Sequence, residues 1–215
     1  RSERYFEVGM GLKINEILNK CANTLPSILI KALKESGVPN IRNIMTIGGL
    51  LCGAKIRNSL YAALSILNAK VEIYSSLSVG TRILIPLAQL CRDNGIMLLP
   101  GEMVTKIRIP YEEYDTDYYG EVFDKGKRIT FVGTASIFKN TISICKFAIG
   151  NFGDEIIREV EIENGLVEQK LPIPDKILEG WKEKFTSIFT EKYTSFSPYV
   201  QKSLINMFTE FLGKL

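Results

Sequence analysis

Residues 41–73 read IRNIMTIGGLLCGAKIRNSLYAALSILNAKVEI, and three signals in this stretch set the expectation for the fold. Thr46-Ile47-Gly48-Gly49 is a Thr-x-Gly-Gly corner whose main-chain N–H groups no side chain obstructs. Glycine tolerates positive φ and lets a ligand approach the main chain. Consecutive amides of this kind make a concavity suited to phosphate or pyrophosphate. A Gly-Gly pair alone is more often a plain turn between a helix and a sheet. Further on, Leu60, Ala63, Leu64 and Leu67 recur at helical spacing, so Ser59 to Asn68 reads as a packed helix with Asn58 or Ser59 as its N-cap. Val71 to Tyr74 then reads as a strand.

Outward from this stretch the pattern continues. Tyr5 to Met10 reads as a strand, and Lys13 to Asn19 as a helix with Ile14, Ile17 and Leu18 on one face. Leu25 to Ser36 is a second helix, with Thr24 as a cap, Pro26 in the first turn and Gly37 at the end. Arg82 to Ile85 follows a polar loop at Ser75–Gly80. Val104 to Ile109 alternates and stops at Pro110, as an edge or terminal strand does. Residues 1–110 are therefore expected to be α+β, a mostly antiparallel sheet with flanking helices.

Tyr111–Gly120, YEEYDTDYYG, reads as a linker or exposed loop. Ile129–Phe138 and Thr141–Ile149 alternate around Lys139-Asn140 as a hairpin does, and Ile156 to Val167 is expected to add a third strand. Ile177, Leu178, Trp181, Phe185, Ile188 and Phe189 form a helical stripe. Ser197 caps a last helix with Pro198 at its first position and Val200, Leu204, Phe208, Phe211 and Leu212 inward. Residues 111–215 thus read as a small sheet plus a helical bundle.

Composition narrows the chemistry. Of 215 residues, 46% are apolar and 24% charged, typical of a globular chain. A net charge of +3 is too small to argue for nucleic acid or an anionic membrane, and no apolar run is long enough to span one. Cys21, Cys52, Cys91 and Cys145 are scattered without a C-x-x-C pair, which disfavours zinc or an iron–sulfur cluster here. Buried free thiols in a reducing cytoplasm are the expectation. The chain has no histidine, which excludes Ser-His-Asp and Cys-His catalysis and His-ligated metals. Glu112, Glu113, Asp115 and Asp117 sit in a polar loop with no visible partner base. Redox chemistry, if present, must come from a cofactor.

The 41–73 run resembles the FAD-binding medium subunit of the molybdenum hydroxylases, the family of xanthine dehydrogenase and carbon monoxide dehydrogenase flavoproteins. Leu99 to Pro110, LPGEMVTKIRIP, is a second match, and Lys125-Gly-Lys-Arg128 before an apolar run is a third. Ser197-Pro-Tyr199 ahead of an apolar helix is similar to the family's end segment. The resemblance implies that 1–110 is the second lobe of a FAD-binding domain and 111–215 the flavoprotein C-terminal domain. It implies that Thr46, Ile47, Gly48 and Gly49 turn main-chain amides to the FAD diphosphate, and that Val104 packs near the flavin. Leu50 stands where the family has Asn or Ser, Ser59 where it has Asp, and Asp124 where it has Lys. Lys55 and Arg57 offer compensating charge.

The implied function is electron transfer from iron–sulfur clusters through FAD to NAD or another acceptor. The implied partners are a molybdenum-cofactor large subunit and a 2Fe–2S small subunit, in a homo- or hetero-oligomer without nucleic acid or membrane. The alternative is a degenerate homologue without FAD that serves as a scaffold. The chain opens Arg-Ser-Glu-Arg without Met, and the family's first lobe, with its Ala-Gly-Gly-Thr-Asp-Leu type loop, is expected to lie outside it.

Overall fold

Alternating apolar residues build the first sheet. In β1 (Tyr5–Gly9) Phe6 and Val8 are buried while Glu7 is exposed, the period-2 pattern of a half-covered strand. The computed structural model describes residues 4–52, 59–77, 80–92, 95–96, 98–152, 155–193 and 196–215. After β1 come α1 (Ile14–Cys21), α2 (Ser27–Lys34), α3 (Pro39–Arg42), α4 (Ile47–Cys52) and α5 (Ser59–Ile66). Then follow β2 (Lys70–Ser75), β3 (Thr81–Pro86), α6 (Leu87–Leu90), the two-residue strands β4 (Cys91–Arg92) and β5 (Gly95–Ile96), and β6 (Glu102–Pro110). The later elements are β7 (Thr116–Asp124), β8 (Lys127–Phe138), β9 (Thr141–Phe152), β10 (Glu155–Ile157), α7 (Val160–Leu166), α8 (Asp175–Lys192) and α9 (Pro198–Leu212). The chain divides into two units, Arg1–Glu112 with Gly153–Glu155, and Glu113–Phe152 with Ile156–Leu215.

The first unit's main sheet has the order β1-β6-β2-β3, antiparallel throughout. Val71, Ile73, Val104, Ile107 and Ile109 are buried with the apolar faces of the helices, among them Ile14, Ile17, Ile28, Leu29, Leu33, Leu60 and Leu64. Each such side chain contributes about 1.5–3 kcal/mol by leaving water. β6 lies inside the sheet, between β1 and β2, which corrects the expectation of an edge strand. Pro110 occupies its last position, opposite Tyr5, so the missing N–H falls where the ladder ends.

Charges occupy the outward face. Glu7 takes the Arg108 Nε–H at 2.6 Å and Lys106 Nζ at 3.2 Å. Glu72 accepts the Thr105 hydroxyl at 2.7 Å and lies 3.5 Å from Lys106. Burial opposes ionisation of Glu72, but the Thr105 hydrogen bond and the Lys106 and Arg82 charges outweigh it and hold its carboxyl below the usual range.

In the second unit β10-β9-β8-β7 form the sheet, and α7, α8 and α9 supply its apolar cover. Phe131, Phe147, Phe185 and Phe208 are fully buried, and the Phe185 and Phe208 rings stack at 4.3 Å. Lys139 and Asn140 have φ of 50° and 56°, the paired left-handed residues of a tight hairpin turn. Ser197 accepts the Val200 N–H at 3.4 Å, and the five residues assigned to the inward face of α9 are its buried ones. Glu163, nearly enclosed, accepts the Phe147 N–H at 2.9 Å and Arg158 Nη2–H at 2.7 Å, which joins α7 to β9.

Four local expectations change. Tyr111–Gly120 is not all loop, because Thr116 to Gly120 pair with β8. Only Glu155–Ile157 of the expected third strand is extended, and its acidic continuation turns into α7. Helix α2 starts at Ser27 with Pro26 rather than Thr24 in the cap position. Cys145 is buried, but Cys52 is exposed and Cys21 partly so. Asn58 lies outside the described residues, as do Lys55 and Arg57.

Candidate functional site

The Thr-x-Gly-Gly corner is the start of α4, a helix of six residues rather than an open turn. An isolated antiparallel bridge between Lys13 and Thr46 joins the corner to the segment after β1. Ile47 N–H donates to the Leu12 carbonyl at 2.9 Å, and Gly48 N–H to the Met10 carbonyl at 2.9 Å. Gly49 N–H donates to Thr46 Oγ1 at 3.0 Å and Leu50 N–H to the Thr46 carbonyl at 3.0 Å. All four amides are thus spent within the fold.

The glycines have different surroundings. A Cβ on Gly48 would lie 2.8 Å from the Met10 carbonyl oxygen, so the missing side chain is what lets α4 approach the chain leaving β1. Gly49 is exposed, and its Cβ would meet only Thr46 Oγ1 at 3.2 Å. What stays open is Thr46 itself. Its hydroxyl oxygen accepts from Gly49, which leaves the hydroxyl hydrogen to donate. Its own N–H has no partner among the described residues. A phosphate oxygen at this corner would therefore find Thr46 donors beside a bare Gly49 surface, not a row of glycine amides.

The remaining residues expected at the site sit deeper. Leu50 is partly buried on α4. Ser59 opens α5 at 3% exposure, and Val104 of β6 lies opposite Ile73 at 7%. The structure places Thr46, Ile47, Gly48, Gly49 and Leu50 on one turn, while Ser59 and Val104 are enclosed where they stand. Asp124 belongs to the second unit, at the end of β7, where Lys125 and Gly126 turn with φ of 48° and 77°. The sequence reading missed Met10 and Leu12, whose carbonyls take up the corner's amides. Their one local signal is that Gly9 and Gly11 flank Met10.

Residues 1–112 match the family described as FAD binding domain in molybdopterin dehydrogenase, and the chain belongs to that family. FAD is the cofactor that this membership assigns. The donor set at Thr46 fits one phosphate oxygen of such a group, and the spent amides of Ile47 to Leu50 do not. Among curated proteins, the chain is similar to the glyceraldehyde dehydrogenase medium chain of Sulfolobus acidocaldarius, 27% identical over 168 residues that cover 76% of this chain and 59% of that protein. The chain therefore matches less than two thirds of that relative's length.

Two solved structures share the fold across the whole chain. One is carbon monoxide dehydrogenase from Hydrogenophaga pseudoflava, with a TM-score of 0.79, 16% identity and 76% of that chain covered. The other is quinoline 2-oxidoreductase from Pseudomonas putida 86, with a TM-score of 0.80, 18% identity and 75% covered. The α+β architecture expected from the sequence is thus that of solved oxidoreductase chains. No helix among the described residues is long and apolar enough to cross a membrane.

Proposed function

We propose that this chain forms part of the flavoprotein subunit of a molybdenum hydroxylase-type oxidoreductase. Electrons from 2Fe–2S clusters in a small subunit would pass through FAD held here to NAD or another acceptor, with a large subunit carrying the molybdenum cofactor. The match of residues 1–112 to the FAD-binding family carries this reading. In it, Thr46, Ile47, Gly48, Gly49, Leu50, Ser59 and Val104 flank the cofactor. Thr46 supplies the hydroxyl and amide donors, and exposed Gly49 leaves room for close approach. The lobe boundaries are 1–110 and 111–215, and the compartment is the cytoplasm.

The test is a visible absorbance spectrum of the full-length protein after gel filtration, with and without added FAD. Flavin bands that survive the column support the reading. A colourless protein that ignores added FAD refutes it. That result would leave the second reading, a scaffold that keeps the fold without the cofactor, which the spent amides at positions 47–50 and the enclosed Ser59 favour.

A further inference from the structure

Strand β3 is open on both faces. Its pairing with β2, from Lys70 opposite Pro86 to Ser75 opposite Thr81, uses one edge, and no described strand pairs with the other. Ile83 is 44% exposed and Leu84 38%, although neighbours in a strand point to opposite faces. The other edge strand, β1, hides Phe6 and Val8 at 5% each. Proteins normally blunt a free edge with lysine, proline or a bulge, because unpaired N–H and C=O groups template another strand. Here Pro86 stands only at the last position, and the sheet's bulge lies between β2 and β6. Arg82 carries a charge at one end, and Ile83 to Ile85 remain unblunted.

The charge beside this edge indicates what would pair with it. Arg82 projects on the same face as Glu72, reaches it only at 4.0 Å and is 64% exposed. Behind it, Lys70, Lys106 and Arg108 share the face with Glu7 and Glu72, so four cations meet two carboxylates. Lys106 and Arg108 already engage those carboxylates. Most of the Arg82 guanidinium remains for an incoming anion, with Lys70 one strand further in as a second positive charge. Pairing of β3 with β3 of a second copy would set two such cationic faces side by side, which argues against self-association.

We infer that β3 is a strand-addition edge for an extended segment of a partner protein, with acidic side chains at alternate positions and aliphatic ones between. Main-chain bonds to the edge give the affinity, and alternate side chains give the selectivity. The aliphatic set covers Ile83 and Ile85, and the acidic set runs along Arg82, Leu84 and Pro86, with Arg82 as its direct cation and Lys70 one strand further in. This reading does not depend on flavin.

Two labelled synthetic peptides of about eight residues, one alternating Glu with Val and one alternating Lys with Val, are titrated with the protein at low salt by fluorescence anisotropy. Amide hydrogen exchange is followed in parallel. The Glu–Val peptide should bind below about 1 mM and about tenfold tighter than the Lys–Val peptide, and Thr81 to Ile85 should gain protection. In Arg82→Gln, a surface change, the preference should shrink to about threefold or less, while the melting temperature stays close to that of the parent. Equal binding of the two peptides, protection elsewhere than β3, or no binding at millimolar concentration overturns the inference.

Discussion

Gly48→Ala probes the corner most directly. The added Cβ would lie 2.8 Å from the Met10 carbonyl oxygen and 3.1 Å from Met10 Cβ. The first contact is backbone, so no side chain can swing away. Relief requires α4 and the residues after β1 to separate by a few tenths of an ångström. The same carbonyl accepts the Gly48 N–H at 2.9 Å, so relief stretches that bond as well. Overpacking costs about 1–3 kcal/mol and a weakened hydrogen bond about 0.5–1.5 kcal/mol. Alanine recovers about 1 kcal/mol of helix propensity. The net expectation is a loss of about 2 kcal/mol, or about 4–8 °C in Tm for a chain of this size. Gly49→Ala is the control, since its Cβ meets only the Thr46 hydroxyl at 3.2 Å and gains the same propensity, so its Tm should hold or rise by about 2–4 °C. Circular dichroism melts read both. A Gly48→Ala protein as stable as the parent, or a Gly49→Ala protein equally damaged, would refute the assignment of Gly48 to packing.

Three further outcomes are expected. In the full-length protein, Gly49→Val should abolish FAD retention on gel filtration while the chain still melts cooperatively, and unchanged retention would remove Gly49 from the site. Gly165→Ala should destabilise the second unit by about 1 kcal/mol, because its Cβ would fall on the Trp181 indole while α7 regains about 1 kcal/mol of helix propensity; a double-mutant cycle with Trp181→Leu should recover part of the loss, and additive effects would disprove the contact. The lowered carboxyls of Glu7 and Glu72 contribute stability that is full above the unfolded range near about 4.3 and is lost as pH falls through their folded values. Urea midpoints measured from pH 6 downward should fall less steeply in Glu72→Gln, and parallel curves would show that the cluster is not responsible.

Secondary elements were legible where local chemistry and burial agree. The α9 stripe, its Ser197 cap and the Lys139-Asn140 turn are all set within a few residues, and the structure places each as its residue types require. Two of the misreadings share one cause. Pro110 reads as an edge signal until the strand beside it is known, because a proline at the final rung costs the same few bonds inside a sheet as at its margin. The tyrosines of 116–120 read as a loop until β8 is there to pair with them. Pairing across the sheet is not written in the local pattern of either strand.

The corner shows the same limit in its chemistry. Thr-x-Gly-Gly correctly marks a place where backbone must come close to something, and family membership names FAD as a ligand. Yet the closest approach in the structure is made by this chain's own Met10 carbonyl, from a segment about 38 positions earlier. A glycine motif records that a Cβ is not tolerated; it does not record whether ligand or main chain excludes it. Gly48 and Gly49 separate the two cases, since one is closed by Met10 and the other faces outward beside the Thr46 donors. An anion at the corner would therefore depend on Thr46 and on the open side of Gly49. A ligand that also required the Ile47 and Gly48 amides would have to break two hydrogen bonds that tie α4 to the segment after β1.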